Sequence, residues 1–245
     1  MTTLKVIDTG SRRGNCYVLN HDGELLLLDF GCKWEKILEG IGFKPSKISG
    51  ALLTHQHMDH AKCYKELMSV GIPIYTNDET AEHFDVVAGE RMMGIPEGQW
   101  LSIGNFKVIP LYVPHDGVPN YMYLIKIPDG QLMMYATDFM YLPKTFKGMH
   151  ISTFLIECNH LDADPEKDAV NYKHSIKGHS SLDVVKNVIR ANRTELMKNV
   201  ILCHISETWG NSELMRHEIK EITGDAVTVD VAEPGLERDI SLFPF

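Results

Sequence analysis

Thr54-His55-Gln56-His57-Met58-Asp59-His60 decides the reading of this chain. Three imidazoles and a carboxylate fall within the six residues 55–60. They follow Ala51-Leu52-Leu53, whose apolar run predicts a buried strand over about 51–54. A loop leaving such a strand can turn several side chains toward one point. Histidine and aspartate are preferred ligands for Zn²⁺ and similar ions. Polar groups packed this densely beside an apolar strand need a partner, because burying them alone is costly.

Three later residues share that placement. His115 in Val113-Pro114-His115-Asp116, Asp138 in Ala136-Thr137-Asp138 and His204 in Cys203-His204-Ile205-Ser206 each end an apolar, strand-like run. Around them the sequence predicts strands over about 4–8, 16–19, 25–29, 106–113, 121–127, 132–136, 154–156 and 200–203. Asp22-Gly23 marks a hairpin between the second and third of these. Helices are expected over 59–70, 183–191 and 212–222, with Ser180 and Asp183 as a capping pair for the middle one. Residues 80–100 read as a helix followed by a loop, a candidate lid. The strands at 154–156 and 200–203 are expected to run from a sheet edge into the core. Hairpins mixed with helices suggest two sheets packed face to face with helices outside, an αββα sandwich in the α/β class.

Composition bounds the rest. The chain has 245 residues, enough for one domain spanning 1–245 with a full core. No apolar run approaches the length of a membrane span, and the start, Met1-Thr2-Thr3-Leu4-Lys5, does not resemble a signal peptide. Five cysteines without CxxC spacing suggest reduced, buried thiols and a cytoplasmic protein. The net charge of −9 is opposite to what gripping a long nucleic acid calls for, and Arg12-Arg13 is the one basic pair near the start.

The HxHxDH pattern of 55–60, followed in order by His115, Asp138 and His204, resembles the metallo-β-lactamase superfamily. That resemblance implies two divalent metal ions, zinc first and manganese as an alternative. His55, His57 and His115 would hold one, Asp59, His60 and His204 the other, with Asp138 bridging. Paired cations activate water near neutral pH and stabilise charge on phosphoryl oxygens. Asp29, in Leu27-Leu28-Asp29-Phe30-Gly31, matches an aspartate that supports the metal loop from behind.

Glu157, in Ile156-Glu157-Cys158-Asn159-His160, and His179, in Gly178-His179-Ser180-Ser181, resemble the Glu–His pair of transfer-RNA 3′ processing endonucleases (tRNase Z). Glu157 and His179, with Asp59, are therefore the expected catalytic residues, His179 as general acid. His160 and His174 are weaker candidates for the rim of the site. Gly10-Ser11-Arg12-Arg13-Gly14-Asn15 and His204-Ile205-Ser206-Glu207 with Asn211 resemble the YycJ (WalJ) group, over nearly the whole chain. Members of that group are nucleases. A phage-encoded branch, the anti-Pycsar enzymes, opens cyclic CMP and cyclic UMP. The acidic charge and the lack of an appended substrate-gripping arm favour a 3′,5′-cyclic nucleotide as substrate, with DNA or RNA exonuclease activity as the alternative. The resemblance also implies a homodimer, located in the host cytoplasm if phage-encoded. Tyr112, Trp100 and Trp209 are candidate platforms for a base.

Overall fold

The computed structural model describes residues 1–85, 91–162 and 177–242. His174 lies outside them. Among the described residues the strands form two seven-stranded sheets. The first contains β1 (Thr2–Asp8), β2 (Cys16–His21), β3 (Glu24–Leu28), β4 (Ile48–Leu52), β5 (Ile74–Thr76), β6 (Met92–Gly94) and β14 (Glu237–Asp239), in the order β14-β1-β2-β3-β4-β5-β6. The second runs from β7 (Leu101–Ile103) through β8 (Phe106–Val113), β9 (Asn120–Lys126), β10 (Leu132–Ala136), β11 (Thr153–Glu157) and β12 (Asn199–Cys203) to β13 (Thr228–Val231), each beside the next.

Alternation along the strands builds three apolar layers. Tyr17, Leu19, Leu26 and Leu28 of the first sheet meet Tyr121, Tyr123, Tyr135 and Leu155 of the second between the sheets. The intervening residues face outward. Val18, Leu25 and Leu27 pack with Ile37 of α1 (Trp34–Gly40) and Leu67 of α3 (Tyr64–Ser69). Met122, Met134, Phe154 and Val200 pack with Val185 and Ile189 of α5 (Leu182–Asn192) and Met215 and Ile219 of α6 (Ser212–Thr223). Both faces of each sheet are covered, which is why β3, β10 and β12 read as continuous apolar runs. The fold is the αββα sandwich expected.

Four local expectations need correction. The helix expected over 59–70 is two pieces, α2 (Met58–Ala61) and α3, separated at Lys62 and Cys63. The cap of α5 is Ser181, whose hydroxyl accepts the Val184 N–H at 3.3 Å. Ser180 is instead turned to Glu157. Residues 80–100 include the end of α4 (Asp78–His83) and the strand β6, in place of a plain loop. β11 and β12 lie inside their sheet, each flanked by two parallel neighbours.

The turn at Asp22-Gly23 has φ of 49° and 89°, the double left-handed geometry that Asp-Gly favours. It fixes the β2–β3 register and hence where β3 ends, at Leu28, one residue before Asp29.

Candidate metal centre

Strand ends build the site. β3 and β4 are parallel and deliver Asp29 and the 55–60 loop. β8, β10, β11 and β12 share one direction and deliver His115, Asp138, Glu157 and His204. Asp29, Asp138 and His204 have φ of 54°, 54° and 50°. A non-glycine residue in this left-handed region costs about 1–2 kcal/mol. Three such residues, each just past a strand end, mark backbone bent to aim side chains.

All seven ligand candidates converge. Nitrogens of His55, His57 and His115 and an Asp138 oxygen lie within 4.8 Å of one another, as do ligand atoms of Asp59, His60 and His204. Asp138 separates the groups. Its Oδ2 is 3.8 Å from both His55 Nε2 and His115 Nε2, while its Oδ1 is 3.4 Å from His60 Nε2 and 3.6 Å from His204 Nε2. Asp59 Oδ2 is 3.6 Å from His60 Nε2 and 3.4 Å from His204 Nε2.

The outer hydrogen bonds fix the tautomers. His60 Nδ1 donates to Asp29 Oδ2 at 2.7 Å, and His115 Nδ1 to the Gly178 carbonyl at 2.6 Å. His204 Nδ1 lies 3.1 Å from Glu157 Oε1 as an ion pair. His55 Nδ1 contacts Thr54 Oγ1 at 3.0 Å, and that hydroxyl donates to Asp29. With Nδ1 engaged outward, all four rings turn Nε2 toward the centre, the nitrogen a cation would take. His55 Nε2 and His115 Nε2 come within 2.9 and 3.3 Å of His57 Nδ1. Zn–N bonds of about 2.0–2.1 Å in tetrahedral geometry place neighbouring ligand atoms about 3.3–3.4 Å apart. The donor set and its spacing therefore fit divalent cations.

Charge points the same way. Burial pushes the pKa of His55 well down and that of His57 down, so both favour the neutral form that ligates. Burial also opposes charge on His60, but Asp138, Asp59 and Asp29 outweigh it and hold its pKa well above the usual value. His204 behaves likewise, with Asp138, Asp59 and Glu157 overcoming burial. Asp138 stays ionised against the cost of burial because His204, His60 and His179 surround it. The second group thus attracts positive charge strongly.

Asp138, Glu157, His179 and His204 also place ligand-type atoms within 4.8 Å. Within this group Glu157 and His179 are joined by a hydrogen bond. His179 Nδ1 donates to Glu157 Oε1 at 2.6 Å, and Glu157 Oε2 accepts the Ser180 N–H at 3.0 Å, the Ser180 hydroxyl at 3.2 Å and the Phe139 N–H at 3.3 Å. Burial raises the Glu157 carboxyl, but His179, with His204, brings it down to about 2. His179 is raised in turn: burial lowers it, and Glu157 and Asp138 prevail.

Several supporting residues carried no sequence signal of their role. Thr54, Tyr135 and His60 all donate to buried Asp29, Tyr135 at 2.5 Å. Asn120 donates to the Asp138 carbonyl at 2.7 Å, and Asn159 to the His204 carbonyl at 2.9 Å. Gly31 lies flat against the Asp59 backbone. Of the weaker candidates, His160 is buried and bridges Ser181. Tyr112 and His115 line a second cavity, while Trp100 is largely exposed.

Comparison with known proteins agrees with this geometry. The model of the metallo-β-lactamase superfamily matches residues 9–86. The exodeoxyribonuclease YycJ of Bacillus anthracis is 24% identical, covering 97% of each chain. The exodeoxyribonuclease WalJ of Streptococcus pneumoniae is 27% identical over 85% of this chain and 83% of its own. The metallo-β-lactamase fold protein YhfI of Bacillus subtilis superposes with a TM-score of 0.76 at 20% identity, covering 97% of this chain and 98% of its own. Fold, ligand-type cluster and relatives define the class: a metallo-hydrolase of the metallo-β-lactamase fold. It is similar in sequence to YycJ over 97% of its length and to WalJ over 85%. No described helix is long and apolar enough to cross a membrane.

Proposed function

We propose that the protein is a phosphodiesterase working with two divalent cations. The Glu157–His179 pair carries this reading. Its two members are joined at 2.6 Å next to the ligand cluster, and the bond takes none of the inward-facing Nε2 atoms. His55, His57 and His115 would hold one cation and Asp59, His60 and His204 the other, with one Asp138 oxygen toward each. Nitrogen and oxygen donors suit zinc and also manganese. Bound there, the cations supply a water activated near neutral pH and neutralise charge on the phosphoryl oxygens.

The chain's own groups do the rest. Glu157 fixes the His179 Nδ1 proton and keeps the ring cationic. Nε2 is then the position that delivers a proton to the departing alkoxide. Asp29 and the Gly178 carbonyl hold the rings of His60 and His115 in orientation.

Two substrate classes follow. The acidic balance supports 3′,5′-cyclic nucleotides such as cyclic CMP and cyclic UMP, as in the anti-Pycsar enzymes. The likeness to proteins named exodeoxyribonucleases supports linear DNA or RNA. Metal-loaded protein is incubated with cyclic mononucleotides and with labelled single- and double-stranded DNA and RNA, with Asp138→Ala as control. Cleavage of any phosphodiester, abolished in the variant together with metal binding, supports the proposal. Full activity in the variant would sink it.

A further inference from the structure

A cavity of about 730 Å³ opens beside the centre on the His179 side, with Arg12 and Arg13 on its wall. Both sit at the tip of the turn between β1 and β2, and both ends of that turn are fastened to the ligand loops. Thr9 Oγ1 accepts the His204 N–H at 3.2 Å. The Asn15 N–H donates to the Asp59 carbonyl at 2.7 Å, and Asn15 Oδ1 accepts the Gly10 N–H at 2.9 Å, closing the turn. Gly10 and Gly14 have φ of 93° and 90°, which permits so tight a reversal. The backbone under the arginines is therefore indexed to Asp59 and His204.

Arg12 pairs with Glu207 at 2.9 Å, with side chains 80% and 53% exposed. An ion pair this exposed contributes little and exchanges readily for a better anion. The Arg13 backbone N–H donates to the Gly10 carbonyl at 3.2 Å, but its exposed guanidinium makes no hydrogen bond or ion pair among the described residues. Glu207 and Glu233 share the cavity, so two guanidiniums and His179 face two carboxylates in a chain whose net charge is −9. The two guanidiniums are the residue type whose planar fork matches phosphate.

We propose that Arg13, with Arg12, forms a subsite for a second anionic group of the substrate, on the leaving-group side of the scissile phosphate. This rests on the proposed phosphodiesterase chemistry, because His179, which lines the same cavity, marks the leaving-group side. The ligand class is a phosphorylated leaving group, such as the next phosphate of a linear nucleotide chain. A 3′,5′-cyclic mononucleotide has one phosphate and leaves this subsite empty.

The test compares thymidylyl-thymidine with its 5′-phosphorylated and 3′-phosphorylated forms. In the wild type, one phosphorylated form is expected to exceed the parent in kcat/KM by about tenfold or more. In Arg13→Ala that ratio falls toward one, and Arg13→Lys keeps part of it, while metal content and melting temperature hold. No preference in the wild type, or a preference that survives Arg12→Ala/Arg13→Ala, overturns the subsite. Calorimetry with thymidine 3′,5′-bisphosphate against the two monophosphates reads the subsite without turnover. Tighter binding of the bisphosphate, lost in Arg13→Ala, supports it even if no diester is cleaved; the phosphodiesterase reading alone then fails. Equal binding of bisphosphate and monophosphates by the wild type overturns it.

Discussion

Replacing Gly31 with alanine should disable the metal centre without touching a ligand. The added Cβ would lie 1.7 Å from the Asp59 carbonyl oxygen, 2.1 Å from its carbon and 2.6 Å from the His60 nitrogen. All three are backbone atoms and cannot rotate away. Reaching even 3.0 Å requires a shift of about 1.3 Å. The loop is also tied down at this point, where the Asn15 N–H donates to the same Asp59 carbonyl at 2.7 Å and the Asn15 carbonyl accepts the Gly31 N–H at 2.8 Å. The displacement must therefore pass into Asp59 and His60, whose ligand atoms stand 3.6 Å apart. Disturbing the groups that orient ligands typically weakens metal binding about 10- to 100-fold. A misplacement near 1 Å costs about 100-fold in turnover. Overpacking should also lower stability by about 1–3 kcal/mol. Competition with a chromophoric chelator reads the affinity of each metal equivalent, and a thermal melt confirms folding. Gly148→Ala, where a Cβ meets nothing within 4 Å, is the control. Wild-type affinity for both equivalents in folded Gly31→Ala would refute the reasoning.

Other expectations follow from the same geometry. His179→Ala should lower kcat by about 10²–10⁴ with metal content intact, measured by elemental analysis beside the rate; lost metal would make His179 a ligand. Asp29→Ala leaves the Thr54 N–H, the Thr54 and Tyr135 hydroxyls and His60 Nδ1 without their acceptor. Each orphaned buried donor costs about 1–3 kcal/mol, so a loss of at least about 3 kcal/mol should appear in denaturant unfolding. Stripping with a chelator should lower the melting temperature, and added Zn²⁺ at 100 times Kd should restore it, adding about 2.7 kcal/mol of stability per site.

Much of the fold was legible because the layers are complete. Strands buried on both faces keep long apolar runs, and Asp22-Gly23 sets the hairpin that ends just before Asp29. Where sequence failed, elements were short. β5, β6 and β7 have three residues each, too few to display a period of two. The misplaced cap has a clearer cause. Ser180 and Ser181 are equivalent by propensity, and only the nearness of the Glu157 carboxylate decides which hydroxyl is left for the helix.

The ligand-type residues were legible because each needs its own chemistry and sits at the end of an apolar run. Their supports were not, because support is a relation between distant segments. Nothing in Gly31 announces that Asp59 passes against it, and nothing in Asn15 announces that its N–H donates to the same carbonyl. Glu157 shows the consequence most sharply. Sequence marked it as the partner of His179 alone, but its Oε1 contacts Nδ1 of both His179 and His204. One carboxylate oxygen thus orients the proton donor of the proposed reaction and a histidine of the metal cluster together. Glutamine cannot serve both oxygens. If its amide nitrogen replaces Oε1, it opposes two imidazole N–H groups; if it replaces Oε2, it opposes the backbone N–H groups of Ser180 and Phe139. Either orientation disturbs metal ligation and proton delivery at once, so Glu157 cannot be treated as a simple accessory of His179.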